Sequence, residues 1–529
     1  MPTTDTRPEP ADATNADANT GTTRHGDPAG APPSPAGTRR RPRPIKRGAA
    51  YVKARKMRFV ALFVTVAHIA GALTSVQAVM ETRTAQGAIA WAVSLNTLPY
   101  VAVPAYWAFG RTKFNGYIKK RRESMEETDP AISGFIERAG ELGFLADYAS
   151  SDARLHARLA NLPITVGNQV ELLRNGSEIF PSIMQGIREA EHYVLVQFYI
   201  VRDDAVGRHL QSELMGAALR GVRVYFLYDE VGCYKLPRSY LNTLREGGVQ
   251  VRAFNSTQGT ANRLQINFRN HRKIVVADGR QAWVGGANVG DEYIDMHPRL
   301  TPWLDAAVRV CGPAVQMIQV PFFEDWYWAS GVQLDLEWEP RAAANGDSLK
   351  VVCLPTGPAD RFETCALHFL NAINGARRRV WIASPYFVPD EQIVSALQLA
   401  ALRGVDVRIL IPEDCDNTLV RLSGWSFVAP LESAGVKVYR HTEGFMHYKA
   451  MLVDDDIGAV GTANFDNRSF RLNFEITIEV HDRGFASELE RMLLDDLANS
   501  RLSSASELAE QGFPFRLAVR VARLMAPIQ

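Results

Sequence analysis

The feature that most constrains this chain is an internal duplication. The segments AALRGVRV (217–224) and AALRGVDV (400–407) differ at one position. In each copy a helix lies between two apolar strands, and the repeat is too long for a solenoid, so it predicts two similar α/β domains with parallel strands. The strand, helix and strand are predicted at 192–201, 208–220 and 222–230, and again at 378–388, 391–403 and 405–414.

Each copy also carries the pattern H-x-K-x4-D, and in both an asparagine follows the histidine by 17 residues. Alternate residues of a strand share a face, so His and Lys are expected to project together. The chain contains 11 lysines against 48 arginines, so lysine at both positions indicates a chemical requirement. The two sets are His271, Lys273, Asp278 and Asn288, and His447, Lys449, Asp454 and Asn464.

These residue types suit phosphoryl transfer. A histidine titrates near neutral pH, so one imidazole can act as base or nucleophile while the other acts as acid. Lysine supplies a compact positive charge for phosphate oxygens, and asparagine adds a neutral donor. The plain alternative, two strand ends without a function, does not explain why both sets are complete. The sequence therefore predicts one two-histidine site, with Lys273, Lys449, Asn288 and Asn464 binding the phosphate.

Composition excludes several other classes. Lys and Arg total 59 and Asp and Glu 58, so a globally basic nucleic-acid binder is not favoured. Five scattered cysteines without a C-x-x-C pair indicate free thiols in a reducing compartment. The sequence has no G-x-x-x-x-G-K-[ST] loop, no G-x-G-x-x-G turn and no zinc-ligand spacing. We therefore expect no nucleotide, no metal and no other cofactor.

Two apolar runs near the N-terminus, 59–80 and 87–110, contain no Asp, Glu, Lys or Arg. Each is long enough to cross a bilayer, and the alternative is a pair of buried helices in a soluble domain. The short loop ETRTAQ between them predicts a hairpin. Basic residues flank its outer ends, so the positive-inside rule predicts a multi-pass protein of the inner membrane, with everything from residue 111 on in the cytoplasm.

The two ends of the chain leave alternatives open. Residues 1–50 are poor in large apolar side chains and end in a basic run, which indicates a disordered tail beside the membrane or a targeting or nucleic-acid arm. The segment 513–529 spaces Arg516, Arg520 and Arg523 along one helix face among apolar residues. It predicts either an interfacial helix on anionic lipid or a helix that caps the second domain.

The two motifs resemble the HKD signature of the phospholipase D superfamily. From about residue 51 to 529 the chain resembles the bacterial cardiolipin synthases of the phospholipase D type, including the two-helix N-terminus, while the tail 1–50 is not covered. The segments that carry the resemblance are GRTKFNGY (110–117), GNQVELLRNG (167–176), NFRNHRKIVVADGRQAWVGGANVGDEY (267–293), GFMHYKAMLVDD (444–455) and GTANFDNRSFRLNFE (461–475).

The resemblance implies two sandwich-like α/β domains with one shared active site. It implies that two phosphatidylglycerol molecules become cardiolipin and glycerol through a phosphatidyl-histidine, with His271 as nucleophile and His447 as acid and base. Glu475, and less directly Asp305, would orient the imidazoles, but their different spacing from the asparagines puts symmetric roles in doubt. Asp278 and Asp454 belong to the catalytic motifs, and local salt bridges that hold the motif strands are their expected role.

The expected organisation is a tail (1–50), a transmembrane hairpin (51–125), two phospholipase D-like domains (126–345 and 346–505) and an amphipathic segment (506–529). The closest rival function is a lipid hydrolase, or a transferase with another donor or alcohol acceptor. A nuclease of the same superfamily and a non-catalytic lipid-binding scaffold are weaker rivals. The expected partners are phosphatidylglycerol and membrane lipid, without nucleic acid, and the sequence leaves the oligomeric state open.

Overall fold

The computed structural model describes residues 45–110, 114–147, 151–254, 267–344 and 348–529. The predicted tail lies outside these ranges up to residue 44, as do residues 111–113 of the GRTKFNGY segment. Residues 64–529 form one compact unit, and the other unit, 1–63, is described only from Ile45, where a long helix begins.

Helices and strands alternate through most of the described residues. The α-helices are α1 Ile45–Glu81, α2 Ala85–Thr97, α3 Pro99–Ala105, α4 Asn115–Glu141, α5 Ser151–Ala160, α6 Asn175–Glu189, α7 Ala205–Leu219, α8 Arg238–Glu246, α9 Ala314–Ser330, α10 Thr364–Gly375, α11 Glu391–Leu402, α12 Thr418–Glu432, α13 Asn467–Arg471, α14 Arg483–Ala498, α15 Ala505–Glu510 and α16 Phe513–Leu524. The strands are β1 Thr165–Arg174, β2 Tyr193–Phe198, β3 Arg223–Asp229, β4 Gln250–Phe254, β5 Arg269–Asn270, β6 Ile274–Ala277, β7 Gln281–Gly285, β8 Trp303–Leu304, β9 Ala306–Cys311, β10 Leu349–Thr356, β11 Arg379–Ala383, β12 Phe387–Val388, β13 Asp406–Pro412, β14 Lys437–His441, β15 Phe445–Met446, β16 Ala450–Val453, β17 Ile457–Gly461, β18 Phe465–Asp466, β19 Asn473–His481 and β20 Ser500–Leu502.

One sheet runs through both copies of the repeat. Its order is β20-β14-β13-β11-β16-β17-β19-β10-β1-β9-β7-β6-β2-β3-β4, and β5 pairs with β19 beside this path. At the centre β1 pairs antiparallel with β10. The order from β1 to β4 repeats the order from β10 to β14, so the sheet has a pseudo-twofold axis between β1 and β10. We call β1 to β9 the first half and β10 to β20 the second half. The predicted α/β fold of two homologous domains is confirmed.

The duplicated helices α7 and α11 are bounded by the same signals. Asp204 and Asp390 are their N-caps and accept hydrogen bonds from the N–H groups of Gly207 and Ile393, which would otherwise lack an intrahelical partner. After each helix a glycine takes a left-handed conformation, Gly221 with φ 89° and Gly404 with φ 88°. That conformation disfavours side chains with a Cβ, so the AALRG sequence ends both helices at the same place.

The predicted strand at 378–388 is wrong in its length. The sheet strand β11 ends at Ala383, and Pro385 follows, which has no N–H to donate to a ladder. The chain resumes as β12, which pairs with β18 instead of continuing in the large sheet. The other five predicted elements of the repeat match the observed ones to within a few residues at each end.

Apolar cores lie on both faces of the sheet. The largest core is shared by the two halves and joins α9 and α14 to the sheet, with Val276 and Trp326 from the first half and Val351 and Ile478 from the second. Two further cores lie mainly in one half each, the first under α6 and α7, where Phe445 of the second half joins it, and the second under α10 to α12. The halves are therefore joined both by the sheet and by a common core.

The apolar N-terminal region contains one helix with the length and composition of a membrane span, Tyr51–Glu81. The predicted second helix, 87–110, is wrong as a single element. It is broken at Leu98, ahead of Pro99, and continues as α3 and then as a π-helical turn, Tyr106–Gly110. At Gly71 an added Cβ would lie 2.2 Å from the carbonyl oxygen of Leu95, so glycine allows the two helices to approach closely.

The loop between these two helices contacts the second half. Arg83 lies 2.6 Å from a carboxylate oxygen of Glu363 and 3.8 Å from one of Asp390. The predicted topology places this loop on the opposite side of the membrane from the catalytic domains, and insertion in that way would break both ion pairs.

The C-terminal helix α16 packs on the second half, with Val519 and Ala522 buried. Its other face is exposed and apolar, with Phe513, Leu517 and Leu524 in solvent. The helix therefore caps the second half, as one of the two sequence alternatives states. Contact of its exposed face with lipid stays a prediction.

Candidate active site

The two motif histidines lie where short strands cross from one half to the other. Strand β5, just before His271, pairs with Asn473 and Phe474 of β19, and the His271 N–H donates to the Phe474 carbonyl at 2.9 Å. Strand β15, just before His447, pairs with β8, and the His447 N–H donates to the carbonyl of Leu304 at 2.7 Å. Each histidine is therefore fixed by the backbone of the opposite half.

The carboxylate partners are exchanged in the same way. Nδ1 of His271 lies 2.8 Å from Oε2 of Glu475, and Nδ1 of His447 lies 2.7 Å from Oδ2 of Asp305. A carboxylate at Nδ1 fixes the tautomer that leaves Nε2 able to react. Glu475 and Asp305 occupy equivalent places, although they follow the asparagines Asn464 and Asn288 at different distances along the sequence. The extra residues before Asp305 form a 3-10 turn, Asp291–Ile294, and the loop that follows it.

The two carboxylates are accommodated differently. In the second half Thr462, Ser469 and Asn473 donate to Glu475 at 2.6, 2.8 and 3.0 Å. In the first half the residue equivalent to Thr462 is Gly286, where an added Cβ would lie 2.2 Å from Oδ1 of Asp305. A glycine is thus required beside the aspartate, whereas a hydroxyl supports the glutamate. The donors to Glu475 were not identified from the sequence, although the run GTANFDNRSFRLNFE contains all of them.

Burial and charge set the protonation states of the histidines. Burial lowers the pKa of His271 to about 4, and the attraction of Glu475 only partly offsets it. Burial, followed by the positive charge of Lys449, also lowers the pKa of His447. Burial alone would raise the pKa of Glu475, but His271 and Lys273 hold it below its usual value. In the free protein at neutral pH the site thus contains a neutral His271 beside an ionised Glu475.

Both motif lysines are buried beside their histidines. Nζ of Lys273 donates to the carbonyl of His271 at 2.6 Å, and Nζ of Lys449 donates to the carbonyl of His447 and lies 3.2 Å from its ring nitrogens. Burial lowers the pKa of Lys273 to about 7 and that of Lys449 to about 8, and the carboxylates Glu475 and Asp305 act in the opposite direction. The lysines bring positive charge to a site where a phosphate is expected.

The asparagines differ from each other. Asn288 accepts a hydrogen bond from the Ile200 N–H at 3.0 Å and donates to the Tyr293 hydroxyl at 2.8 Å, so it supports the loop around the site. The side-chain oxygen of Asn464 is buried and lacks a hydrogen-bond partner among the described residues. Phosphate binding by either asparagine stays a prediction, and the contacts of Asn288 favour a positioning role.

Asp278 and Asp454 do not make the expected salt bridges in the part of the chain that the structure describes. Asp278 accepts from the backbone N–H groups of residues 191 to 193, and Asp454 from those of residues 377 to 379. Both adopt a left-handed conformation, with φ of 53° and 50°, at the far ends of β6 and β16. Each is five residues from its lysine, roughly 16 Å along an extended strand, so the structure does not bring either to the histidines.

Sequence reasoning did not identify the aromatic residues around the histidines. The ring of Tyr199 lies 5.0 Å from that of His271, edge to face. The rings of Tyr293, Trp303 and Phe445 lie 5.5 to 5.7 Å from that of His447. These rings pack against the imidazoles and contribute to their burial, and of the four only Phe445 lies next to a motif in the sequence.

A buried polar cluster anchors the segment that follows the apolar region. Arg272, between His271 and Lys273, pairs with Asp325 at 2.9 Å, and Asp325 also accepts from the hydroxyl of Tyr117 at 2.7 Å. Tyr117 belongs to the GRTKFNGY segment. That segment therefore contributes directly to the support of the first motif.

The site combines two imidazoles, two carboxylates from opposite halves and two buried lysines, on a sheet with a pseudo-twofold axis. This combination defines an enzyme of the phospholipase D class. The family model described as "Cardiolipin synthase, PLD-like domain" matches residues 183–298 and 369–497. Cardiolipin synthase A of Pseudomonas putida (strain GB-1) is 47% identical over 466 residues, which cover 87% of this chain and 96% of the relative. Cardiolipin synthase A of Pseudomonas fluorescens (strain SBW25) is 46% identical over 474 residues, 89% of this chain and 98% of the relative.

The chain belongs to the bacterial cardiolipin synthase family of the phospholipase D superfamily. Among solved structures, the phosphatidylserine synthase of Haemophilus influenzae Rd KW20 matches with a TM-score of 0.56 and 16% identity. The match covers 72% of this chain and all of that chain, and it supports the fold alone.

We expect Asp278→Ala to reduce the free energy of unfolding by roughly 2–3 kcal/mol, because it leaves three backbone N–H groups without their acceptor. Asp454→Ala should behave alike, whereas Asp455→Ala, which removes only ion pairs with Arg378 and Arg379, should have a smaller effect. Thermal unfolding in detergent measures the order. The activity per folded molecule should stay within about threefold of wild type. A loss of a hundredfold or more would show that these residues take part in the reaction.

We expect kcat/KM to fall as the pH rises through the pKa values of Lys273, about 7, and Lys449, about 8, because each lysine then loses the charge that attracts phosphate. The charged groups near Lys273 are Glu475, Lys449, Asp305 and Asp229. Lys273→Arg keeps its charge throughout, so the part of the alkaline fall near pH 7 should disappear, at a lower absolute rate. Lys119→Arg is the exposed control, and an alkaline limb unchanged in Lys273→Arg would contradict this assignment.

Proposed function

We propose that this protein joins two phosphatidylglycerol molecules into cardiolipin and releases glycerol, through a covalent phosphatidyl-histidine. The observation that carries the proposal is the pair of histidines, each held at Nδ1 by a carboxylate from the other half. Two reactive Nε2 atoms in one site are what a double displacement at phosphorus needs.

In the first displacement Nε2 of His271 attacks the phosphorus, which forms a P–N bond as the bond to the glycerol oxygen breaks. His447 gives its proton to that oxygen, and glycerol leaves. In the second displacement His447 takes the proton of a hydroxyl on another phosphatidylglycerol. That hydroxyl oxygen attacks phosphorus and the P–N bond breaks. The proton returns to His447, so the cycle needs no net acid, base or nucleotide.

Charge supports this assignment. His271 is neutral at neutral pH, as a nucleophile must be. His447 has to be protonated for the first displacement, and Lys449, whose charge disfavours that proton, lies against its ring. A bound phosphodiester anion offsets the charge of Lys449 and so favours protonated His447 when substrate is present. Lys273 and Lys449 then stabilise the negative charge that redistributes over the phosphoryl oxygens.

The decisive experiment uses the full-length protein in detergent or liposomes with labelled phosphatidylglycerol as the only lipid. Wild type should give cardiolipin and free glycerol, and His271→Ala and His447→Ala should each lose roughly a thousandfold in rate. His209→Ala, at an exposed histidine outside the site, is the matched control. A labelled acid-labile adduct on His447→Ala, absent from His271→Ala, would identify the nucleophile.

The other outcomes decide between the rival functions. Phosphatidic acid as the main product would make water the acceptor and the protein a hydrolase. Turnover that requires phosphatidylethanolamine or another alcohol would change the donor or the acceptor. Full activity of the His271→Ala variant, or no turnover with any of these lipids, would contradict the proposal that the two-histidine site catalyses phosphatidyl transfer.

The protein associates with the membrane, and we propose that it crosses the membrane twice, with the catalytic halves in the cytoplasm. Large apolar side chains are exposed on both helices of the hairpin, for example Leu62 and Leu73 on α1 and Val93 on α2. Transfer of each from water into an apolar phase is worth about 1.5–3 kcal/mol, whereas a surface ion pair contributes at most about 1 kcal/mol. Insertion therefore outweighs the loss of the two Arg83 ion pairs.

Cysteine labelling tests this topology. In intact cells a membrane-impermeant maleimide should label Gln86→Cys, in the first turn of α2 beside the hairpin loop. It should label Tyr234→Cys, exposed on the first half, only after permeabilisation. Wild type corrects for the native cysteines. If Gln86→Cys also requires permeabilisation, the loop lies on the same side as the catalytic halves, as the contacts of Arg83 with Glu363 and Asp390 favour.

A further inference from the structure

A second cluster of histidine and carboxylate side chains lies outside the active site. His156 on α5, His368 on α10 and Glu479 on β19 are 4%, 0% and 1% exposed. One potential ligand atom from each lies within 4.8 Å of the others. His481, two residues along β19, lies with Nε2 2.6 Å from Oε1 of Glu479.

The two buried imidazoles have no hydrogen-bond partners among the described residues. Neither Nδ1 nor Nε2 of His156 or of His368 makes a hydrogen bond there. A buried donor or acceptor without a partner costs about 1–3 kcal/mol, and each imidazole has two such nitrogens. The cluster is therefore incomplete as a hydrogen-bonded network, and the unpaired nitrogens point to a missing binding partner.

The distances fit an ion between these groups better than direct contacts. Nδ1 of His156 lies 3.5 Å from Oε1 of Glu479, and Nε2 of His368 lies 3.6 Å from Oε2. Both separations are longer than an ordinary hydrogen bond. They are close to the distance of about 3.3 Å between neighbouring ligand atoms of a tetrahedral zinc ion, whose bonds are about 2.0–2.1 Å long.

We propose that His156, His368 and Glu479 bind one Zn²⁺ ion, with His481 holding the carboxylate in place. Each imidazole faces a different oxygen of Glu479, so the carboxylate would bind through both oxygens and occupy one corner of the tetrahedron. Two imidazole nitrogens and a carboxylate are a ligand set that zinc takes, and a water molecule completes it. The hydrogen bond from a neighbouring residue to a ligating carboxylate is a usual feature of such sites.

The ion would fasten the N-terminal part of the compact unit to the sheet. It would join α5, which follows the apolar region and α4, to α10 and β19 of the second half. A clip between residues so distant in sequence restricts the unfolded chain strongly. Glu479 lies on the same face of β19 as Glu475, four residues or roughly 13 Å away, so the ion supports the strand that orients His271 without reaching the substrate.

Metal analysis of the full-length protein, purified in detergent without a histidine tag, tests the proposal. After removal of metal with a chelator, addition of Zn²⁺ and dialysis, wild type should retain about one zinc ion per chain. His156→Ala and His368→Ala should retain background levels, and His209→Ala, at an exposed histidine, should retain as much as wild type. Cobalt(II) in place of zinc should give the visible absorption of a tetrahedral site in wild type and His209→Ala, and not in His156→Ala or His368→Ala.

A stability measurement keeps the test decisive if the variants fold poorly. The chelator should lower the Tm of wild type by roughly 5 °C or more, and Zn²⁺ should restore it. Wild type that retains well under one zinc ion per chain, or a Tm indifferent to both chelator and Zn²⁺, would overturn the proposal. These readouts do not depend on catalysis, so failure here is distinguishable from failure of the proposed synthase activity.

Discussion

Each motif histidine contacts a carboxylate from the other half, and the rest of the site depends on these two contacts. His271 is held by Glu475 and His447 by Asp305, so neither half contains a complete catalytic group. The central β1–β10 pairing and the common apolar core bring these partners together. A change that weakens the interface between the halves should therefore also disrupt the active site.

Burial sets the protonation states of the histidines and lysines on which the chemistry of the site depends. Removing the histidines and lysines from water disfavours their charged forms, and the two carboxylates restore part of that loss. The result is a neutral imidazole next to ammonium groups that titrate near neutral pH. Such groups respond to a phosphodiester anion more strongly than fully solvated ones would, because little water screens them.

The sequence predicted the parts that depend on local pattern and on repetition. The βαβ units and both His–Lys pairs follow from residue spacing and from the near identity of 217–224 and 400–407. The break at Leu98 and the end of β11 before Pro385 were missed because apolar runs were read through prolines. The partners of Asp278 and Asp454 were missed because backbone N–H groups leave no trace in a sequence.

Long-range contacts account for the rest. The rings of Tyr293 and Trp303 reach His447 from the first half, and the ligands of the proposed zinc site, His156, His368 and Glu479, come from three separate segments. A search for closely spaced ligands predicted no metal, because these three residues are separated by more than a hundred positions each. Only the folded sheet brings them within reach of one another.

The pairing of Gly286 with Asp305, and of Thr462 with Glu475, restricts how the gene can change. A recombination event that copied the second motif over the first would put a threonine side chain into the Asp305 carboxylate. The reverse event would remove the hydroxyl that supports Glu475. The two copies are complementary parts, so exchange of sequence between them would damage the site in either direction although their sequences remain recognisably alike.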